Sequence, residues 1–487
     1  TGSQINLASG HNLNGIFTTV DDPYATTIIY ATENIAIIGG TFNGLSPNLG
    51  SGTKVPNANI ESAFIFGSFT DAVNSSVSNI SFTNVTFNNI HGSSIGLMQS
   101  SQIDITNCRF YNVFVNETQS VGSPIYLAGC FDFSILGNYG NHDTAQGDSW
   151  HFITIVSQIG GSKRGTISDN SCIGFTNGHF CSLESNSPLT LLQEDITISN
   201  NVQKNGLSFT QVKGANNIDI NGNVSSDTRN IISGGEAYNI SILGNKFKNI
   251  MYTGMNFNNC YGTLNISDNT MYNVGFLGST ANSDAYTRGN GIFVVLTEEA
   301  AGYTDSVINI ANNTLRKING AGITTLFSAT NTTGTASIIG NTLVGVGEQS
   351  SGAALRSLYG IYSRRGTVIG NTIISNSSTT ELAILGFFWN YIVADNTVLG
   401  TYTIAKYGGA GKSIWSDTTY FNDDNPRYID GKYICFRDAG LSSGATAPFD
   451  AGDVAYFNDP IAIGYIGHIR VADGLGAGGA KLFGAVV

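Results

Sequence analysis

Along most of the chain, apolar residues alternate with polar ones for a short run, stop at an Asn or Gly, and then resume. "NISILGNKFKNI", residues 239–250, is one instance: Ile240 and Ile242 alternate with polar neighbours, Gly244-Asn245 intervenes, and a second short apolar stretch follows. A period of two is the mark of a strand with one buried face. Asn and Gly tolerate the left-handed backbone that a tight bend between strands requires.

The phrase recurs down the chain. Aligned on the Asn of the turn, the copies place Asn84, Asn107, Asn138, Asn170, Asn201, Asn223, Asn245, Asn269, Asn313, Asn341, Asn371 and Asn396 in register. An earlier relative, "IAIIGGTF" from Ile35, carries Gly in place of the Asn. The tightest spacing, as from Asn201 to Asn223, is 22 residues. The intervals 138–170, 170–201 and 269–313 are longer and read as the same unit with a loop inserted. A repeat with a floor and no ceiling is expected of a solenoid whose coils carry loops. Further strands follow each turn, such as "GLSFTQ" from Gly206 and "GIFVVL" from Gly291. Two or three short strands per coil, stacked ~4.8 Å apart, make a parallel β-helix. The turn Asn residues, stacked on successive coils, can then hydrogen-bond in a ladder.

Three regions are expected. Residues 1–60 form an N-terminal lead-in and capping segment, ending in the loop "SPNLGSGTKVPNANI". Residues 61–408 form the β-helix with its ligand groove, and residues 409–487, after "KYGGAGKS", form a C-terminal β module. A solenoid needs such caps because an open coil exposes unpaired strand edges.

The Asn-rich coils, "NIAIIGGTFNGL" near the start and "GDVAYFNDPIAIGYIGHIRVADG" before the terminal "KLFGAVV" resemble bacteriophage tailspikes and their right-handed β-helix polysaccharide depolymerases. The resemblance spans nearly the whole chain, and its motifs report architecture more than catalysis. The Asp-Gly-rich phrase that precedes the helix in many relatives is not found. The resemblance implies an all-β, right-handed parallel β-helix of about 12–13 coils with a small antiparallel module for capping and trimerisation. It also implies a homotrimer on a virion tail, folded in the host cytoplasm and acting outside the cell on bacterial capsule or O-antigen.

Composition adds four constraints. Apolar residues make up 41% of the chain and include 27 Phe and 21 Tyr, enough to bury a large core. A net charge of −12, with 22 scattered basic residues, argues against nucleic acid and anionic membrane as partners. No run is long and apolar enough for membrane insertion, and "TGSQINLASGHNLNG" shows no secretory signal. Cys108, Cys130, Cys172, Cys181, Cys260 and Cys435 lack CxxC or zinc spacing and read as buried thiols, so neither metal nor cofactor is expected.

Hydrolysis of a glycosidic bond uses two carboxyl groups ~5–9.5 Å apart, which suits acids on neighbouring coils or one coil removed. Asp169, Asp268 and Asp395 fall inside the Asn turn, and Asp104 and Asp219 alternate with Ile on plain strands. The catalytic candidates are Glu184 in "FCSLES", Glu236 in "SGGEAYN" and Asp148 in "GDSWHF". Trp150 and His151 offer a stacking face and a titratable ring beside Asp148; Arg229 and Arg288 are candidate substrate contacts. Asp227, Tyr286, Glu298 and Glu299 stand in reserve. Each has a plainer reading: a solvated strand acid, a turn acid after Gly-Gly, a core Trp or an idle surface Arg. The expected function is hydrolysis of a bacterial surface polysaccharide. The alternatives are a lyase on the same fold, disfavoured because no Asp cluster resembles a calcium cage, and a non-enzymatic receptor-binding spike or adhesin.

Overall fold

The structure is a computed structural model of the 487-residue chain. It describes chiefly residues 33–43, 63–66, 77–114, 123–143, 149–157, 160–185, 192–275, 289–296, 306–327, 334–346, 359–363, 365–374, 382–387 and 391–399, with short separate strands elsewhere. All regular structure among them is β. The chain divides into two compact units, residues 1–265 and 266–487, described in turn.

In the first unit each coil contributes three strands to three parallel sheets. The first sheet stacks Ser78–Thr83, Ser101–Thr106, Phe131–Leu136, Lys163–Ser168, Gln193–Ser199 and Ala215–Asn221. The second stacks Thr86–His91, Arg109–Phe114, Tyr139–Asn141, Ser171–Ile173 and Val202–Lys204. The third stacks Ile95–Met98, Ile125–Ala128, Ile153–Ser157, His179–Ser185 and Ser208–Lys213. Successive parallel strands joined by such crossovers wind in the right-handed sense, giving the right-handed parallel β-helix. Strands within residues 1–60 join the same stacking: Gln4–Asn6, Asn12–Leu13 and Ile28–Ile29 each pair in parallel with a strand of the next coil.

The period-two pattern becomes columns of buried side chains. Ile80, Ile103, Phe133, Gly165, Ile196, Ile218 and Ile240 occupy one rung position on successive coils. Gly165 fits because the Phe133 ring fills its place: an added Cβ would lie 1.9 Å from that ring. Phe87 and Phe110 stack with centroids 5.1 Å apart, as do Phe180 and Phe209. Fully burying one such side chain is worth roughly 1.5–3 kcal/mol.

The Asn of the turn is buried, and the turn needs two residues. The first has positive φ, as at Gly137, Asp169, Asn200, Gly222 and Gly244; the second is the inward Asn. Asn138, Asn170, Asn201, Asn223 and Asn245 form a ladder. The Oδ1 of Asn170, for example, accepts from both the backbone N–H and the Nδ2 of Asn138, each at 2.9 Å. The same Asn138 Nδ2 also donates to the Ile105 carbonyl one coil back, at 2.8 Å. The expected alignment is off by one at its first two copies. Asn84 and Asn107 are the left-handed residues (φ 56° and 55°), and the buried positions belong to Val85 and Cys108. The ladder therefore ends at the Cys108 N–H, which donates to Asn138 Oδ1 at 2.8 Å.

The second unit repeats the scheme. Its ladder runs through Asn269, Asn313, Asn341, Asn371 and Asn396. Asp268 and Asp395 precede it as left-handed turn residues, as Asp169 does in the first unit. A separate five-stranded sheet comprises Arg427–Ile429, Lys432–Arg437, Val454–Phe457, Tyr465–Arg470 and Ala480–Ala485. It is antiparallel except for the pair Lys432–Arg437 with Val454–Phe457, which is parallel. Cys108, Cys130, Cys172, Cys181 and Cys260 are buried free thiols; burial pushes Cys108, Cys130 and Cys260 up to about 12. No helix among the described residues is long and apolar enough to cross a membrane.

Candidate active site

The third sheet of the first unit departs from the simple pattern. Ile153, Ile155, Cys181 and Leu183 face the coil interior and are fully buried. Alternation turns Thr154, Val156, Ser182 and Glu184 to the outer face, yet Thr154, Ser182 and Val156 are buried there as well. Met98, Ala128, Val156 and Glu184 share one outward column, and the first three belong to an apolar cluster with Tyr126. The adjoining column carries Tyr126, Thr154, Ser182 and Gln211. Ser123 and Thr154 hydroxyls meet at 2.6 Å. Glu184 is thus the carboxylate on a sheltered face, its side chain 35% exposed.

Glu184 is held from several directions. The Ser182 hydroxyl donates to Oε1 at 2.6 Å, and His151 Nε2 stands 3.5 Å from the same oxygen. Its backbone carbonyl accepts from Gln193 Nε2 at 3.1 Å, while Gln193 Oε1 accepts from the Ser162 N–H at 2.7 Å. His151 Nδ1 accepts from the His179 N–H at 3.0 Å, which leaves the neutral ring's proton on Nε2, facing the carboxylate. The His151 and His179 rings stack with centroids 4.5 Å apart. Burial lowers both histidines, His179 to about 3, so both are neutral near pH 7. His151 first, and then Ser182, hold the Glu184 carboxyl down at about 2 against the opposing effect of burial. Burial, reinforced by the Glu184 charge, pushes the Tyr126 hydroxyl up. The result is an ionised carboxylate beside neutral donors, a state suited to a nucleophile or base and unsuited to an acid.

The structure brings Glu184, His151 and Trp150 together; the Trp150 ring lies 4.6 Å from that of His151. Glu236 sits apart, as a left-handed corner residue (φ 52°) after the third-sheet run Ile232–Gly235. It lies two coils beyond Glu184, ~10 Å along the axis, at the far limit of a carboxylate pair. Exposed Lys213 occupies the intervening coil. Arg229 is exposed and lines a different feature, a cleft of about 400 Å3 at the corner between the second and third sheets. Asp148 and Arg288 lie outside the described residues, as do Tyr286, Glu298 and Glu299. Asp104 and Asp219 are exposed. Among the described residues no group of three or more His, Cys, Asp or Glu is arranged to hold a metal.

Sequence reasoning missed Ser182, His179, Thr154, Ser123 and Tyr126. A signal was present: "FITIVS" and "FCSLES" place hydroxyls among apolar residues on neighbouring coils. Their joining depends on register across the sheet, which no single copy of the repeat reveals.

No protein-family model matches the chain, and no curated protein is similar to it in sequence. Solved structures do resemble it. One is the catalytic unit of a GH87 α-1,3-glucanase from Streptomyces thermodiastaticus, at 11% identity and TM-score 0.43, covering 80% of this chain and 64% of the glucanase. Another is the tailspike of E. coli bacteriophage HK620 in complex with a hexasaccharide, at 11% identity and TM-score 0.42, covering 82% and 71%. A third is PfbA, a surface adhesin of Streptococcus pneumoniae, at 15% identity and TM-score 0.37, covering 82% and 90%.

Proposed function

We propose that this protein binds and hydrolyses a bacterial surface polysaccharide, with Glu184 as the ionised carboxylate of the reaction. The observation that carries this reading is the setting of Glu184: an outward carboxylate on a sheltered sheet, held by Ser182 and His151, with its charge favoured over its acid form. A stability role alone does not require such a cluster, since the neighbouring rungs of the same column are Ala128 and Val156.

In this reading Glu184 attacks the anomeric carbon directly or takes the proton of an attacking water. A second carboxyl group protonates the departing glycosidic oxygen. Asp148, which lies outside the described residues, and Glu236, two coils after Glu184, are the candidates for that acid. Neutral His151 faces the carboxylate through Nε2, 3.5 Å from Oε1. Trp150 offers its exposed part to a sugar ring. The wider setting we propose is that of a homotrimeric spike on a phage tail, meeting capsule or O-antigen.

The test is to incubate the purified chain with a panel of bacterial capsules and O-antigens, reading reducing ends and unsaturated-uronate absorbance together. Reducing ends alone are expected. Both signals together would make the protein a lyase, and tight binding with neither would make it a receptor-binding spike.

A further inference from the structure

The cleft at the corner between the second and third sheets belongs to neither the Asn ladder nor the Glu184 cluster. Its lining comes from five successive coils, from His142 and Asp143 at one end to Met251 at the other. Four steps of ~4.8 Å make it about 19 Å long, parallel to the solenoid axis.

The cleft exists because an outward column is interrupted. Elsewhere this corner carries polar side chains that bridge coils: Asn112 donates to Asn89, and Asn249 donates to Asp227 at 3.0 Å. One of the intervening coils puts glycine at that position, Gly174, between His142 and Asn205. At Gly174 (φ 85°) an added Cβ would lie 2.1 Å from the His142 carbonyl oxygen. No side chain fits there, so the floor at that coil is bare backbone. The walls are Asp143 at one end and Asp227 with Arg229 at the other. Arg229 makes no ion pair among the described residues.

The chemistry of the lining narrows the ligand. A long open trough suits an extended chain rather than a compact apolar molecule. Two carboxylates accept hydrogen bonds from hydroxyls, Arg229, Asn205 and Thr176 supply donors, and partly exposed Ile173 and Met251 offer apolar contact. With two acids to one base, in a chain of net charge −12, a polyanion is disfavoured. We infer that this cleft is a second glycan-binding subsite, separate from the Glu184 cluster, which takes an uncharged, hydroxyl-rich stretch of polysaccharide. The inference rests on the polysaccharide reading above. It adds that chain length beyond the reacting bond is recognised here: Thr176 in the cleft and His179 in the Glu184 cluster lie on the same coil.

The test uses the full chain and size-fractionated capsule and O-antigen oligosaccharides, some neutral and some containing uronates, with affinity measured by calorimetry in the cold. Arg229→Gln is compared with the double variant Asp227→Asn, Arg229→Gln, and thermal melting checks the fold. Asn tolerates the left-handed backbone at position 227, and Arg229 is exposed, so the single variant keeps the test valid should the double variant unfold. The expected result is binding of long neutral fragments that weakens tenfold or more in the double variant, with a smaller loss in Arg229→Gln and little change for the shortest fragments. Unchanged affinity for long fragments in both variants would overturn the subsite and leave the polysaccharide reading standing. Uronate-containing fragments binding tenfold tighter than neutral ones would overturn the assignment of ligand class. Binding to no member of the panel would overturn the polysaccharide reading, and the subsite with it.

Discussion

Two buried polar arrays lie in the first unit, and they are built on opposite principles. The Asn ladder repeats one solution on every coil. In its middle, Asn223 accepts from the backbone and side chain of Asn201 and donates to Ile198 and Asn245. Each inner member is satisfied by its neighbours in the ladder and by a strand carbonyl one coil back, so the array is uniform. The Glu184 cluster repeats nothing. It takes one Glu, two His and several hydroxyls from different coils, and the buried His179 Nδ1 has no hydrogen-bond partner. A periodic array can optimise stability because every rung faces the same problem. An aperiodic one is free to hold a charge in a chosen place, and this one holds Glu184 ionised.

The sharpest way to break the comparison is to remove one rung of the ladder. Asn223→Ala loses four hydrogen bonds and leaves the Asn201 N–H buried without its acceptor. At roughly 1 kcal/mol per bond, the loss is about 4 kcal/mol of stability. Urea unfolding measures it, and a loss under about 1 kcal/mol would mean the ladder is decorative. A change in the other array should reach chemistry as well as stability, since His151→Ala leaves the buried His179 N–H without its acceptor. His151→Ala removes the neutral donor from Glu184, so turnover should fall about tenfold. The acidic limb of its pH profile should also move upward, because the Glu184 carboxyl loses the partner that holds it down. A limb that stays in place would sever His151 from Glu184.

A smaller effect separates the arrays by pH. The ladder carries no titratable group. Burial depresses His179 to about 3, so the unfolded chain binds its proton first as pH falls below ~6.5. Stability that is complete above that value is therefore lost on acidification towards about 3. Glu184, depressed to about 2, adds a loss in the same direction that begins only below ~4.5. The melting temperature of His179→Asn should accordingly fall less between pH 7 and pH 5 than that of the unaltered chain; equal falls would contradict the assignment. The smallest effect is expected at the exposed Arg164–Asp132 pair, where Arg164→Ala should leave the melting temperature unmoved, since water screens such a bridge.

The ladder and the coils were legible in the sequence because each copy states them again. A single phrase such as Ile240-x-Ile242 followed by Gly244-Asn245 contains the inward pair, the left-handed residue and the buried Asn. The slip at Asn84 and Asn107 has a physical reason. Asn is acceptable at both turn positions, and only the neighbouring Val85 and Cys108, which are apolar, show which position faces inward. The site was legible in part. In the sequence Glu184 is an acid on an outward strand position, whereas Trp150 and His151 read there as companions of Asp148. Ser182, His179 and the gap at Gly174 were not legible, because their meaning comes from what lies one coil above and below. Glu236 follows a strand and Gly-Gly in the sequence, and its left-handed backbone (φ 52°) makes it a corner residue.

The central claim is that the carboxylate of Glu184 performs chemistry on a bound polysaccharide. The direct measurement is the rate at which Glu184→Gln releases reducing ends from whichever glycan the unaltered protein cleaves, alongside the affinity of both proteins for that glycan. A rate lower by about 10²–10⁴-fold with affinity retained is the predicted result. Cleavage at the unaltered rate would contradict the account and return Glu184 to the role of a strand acid on a sheltered sheet.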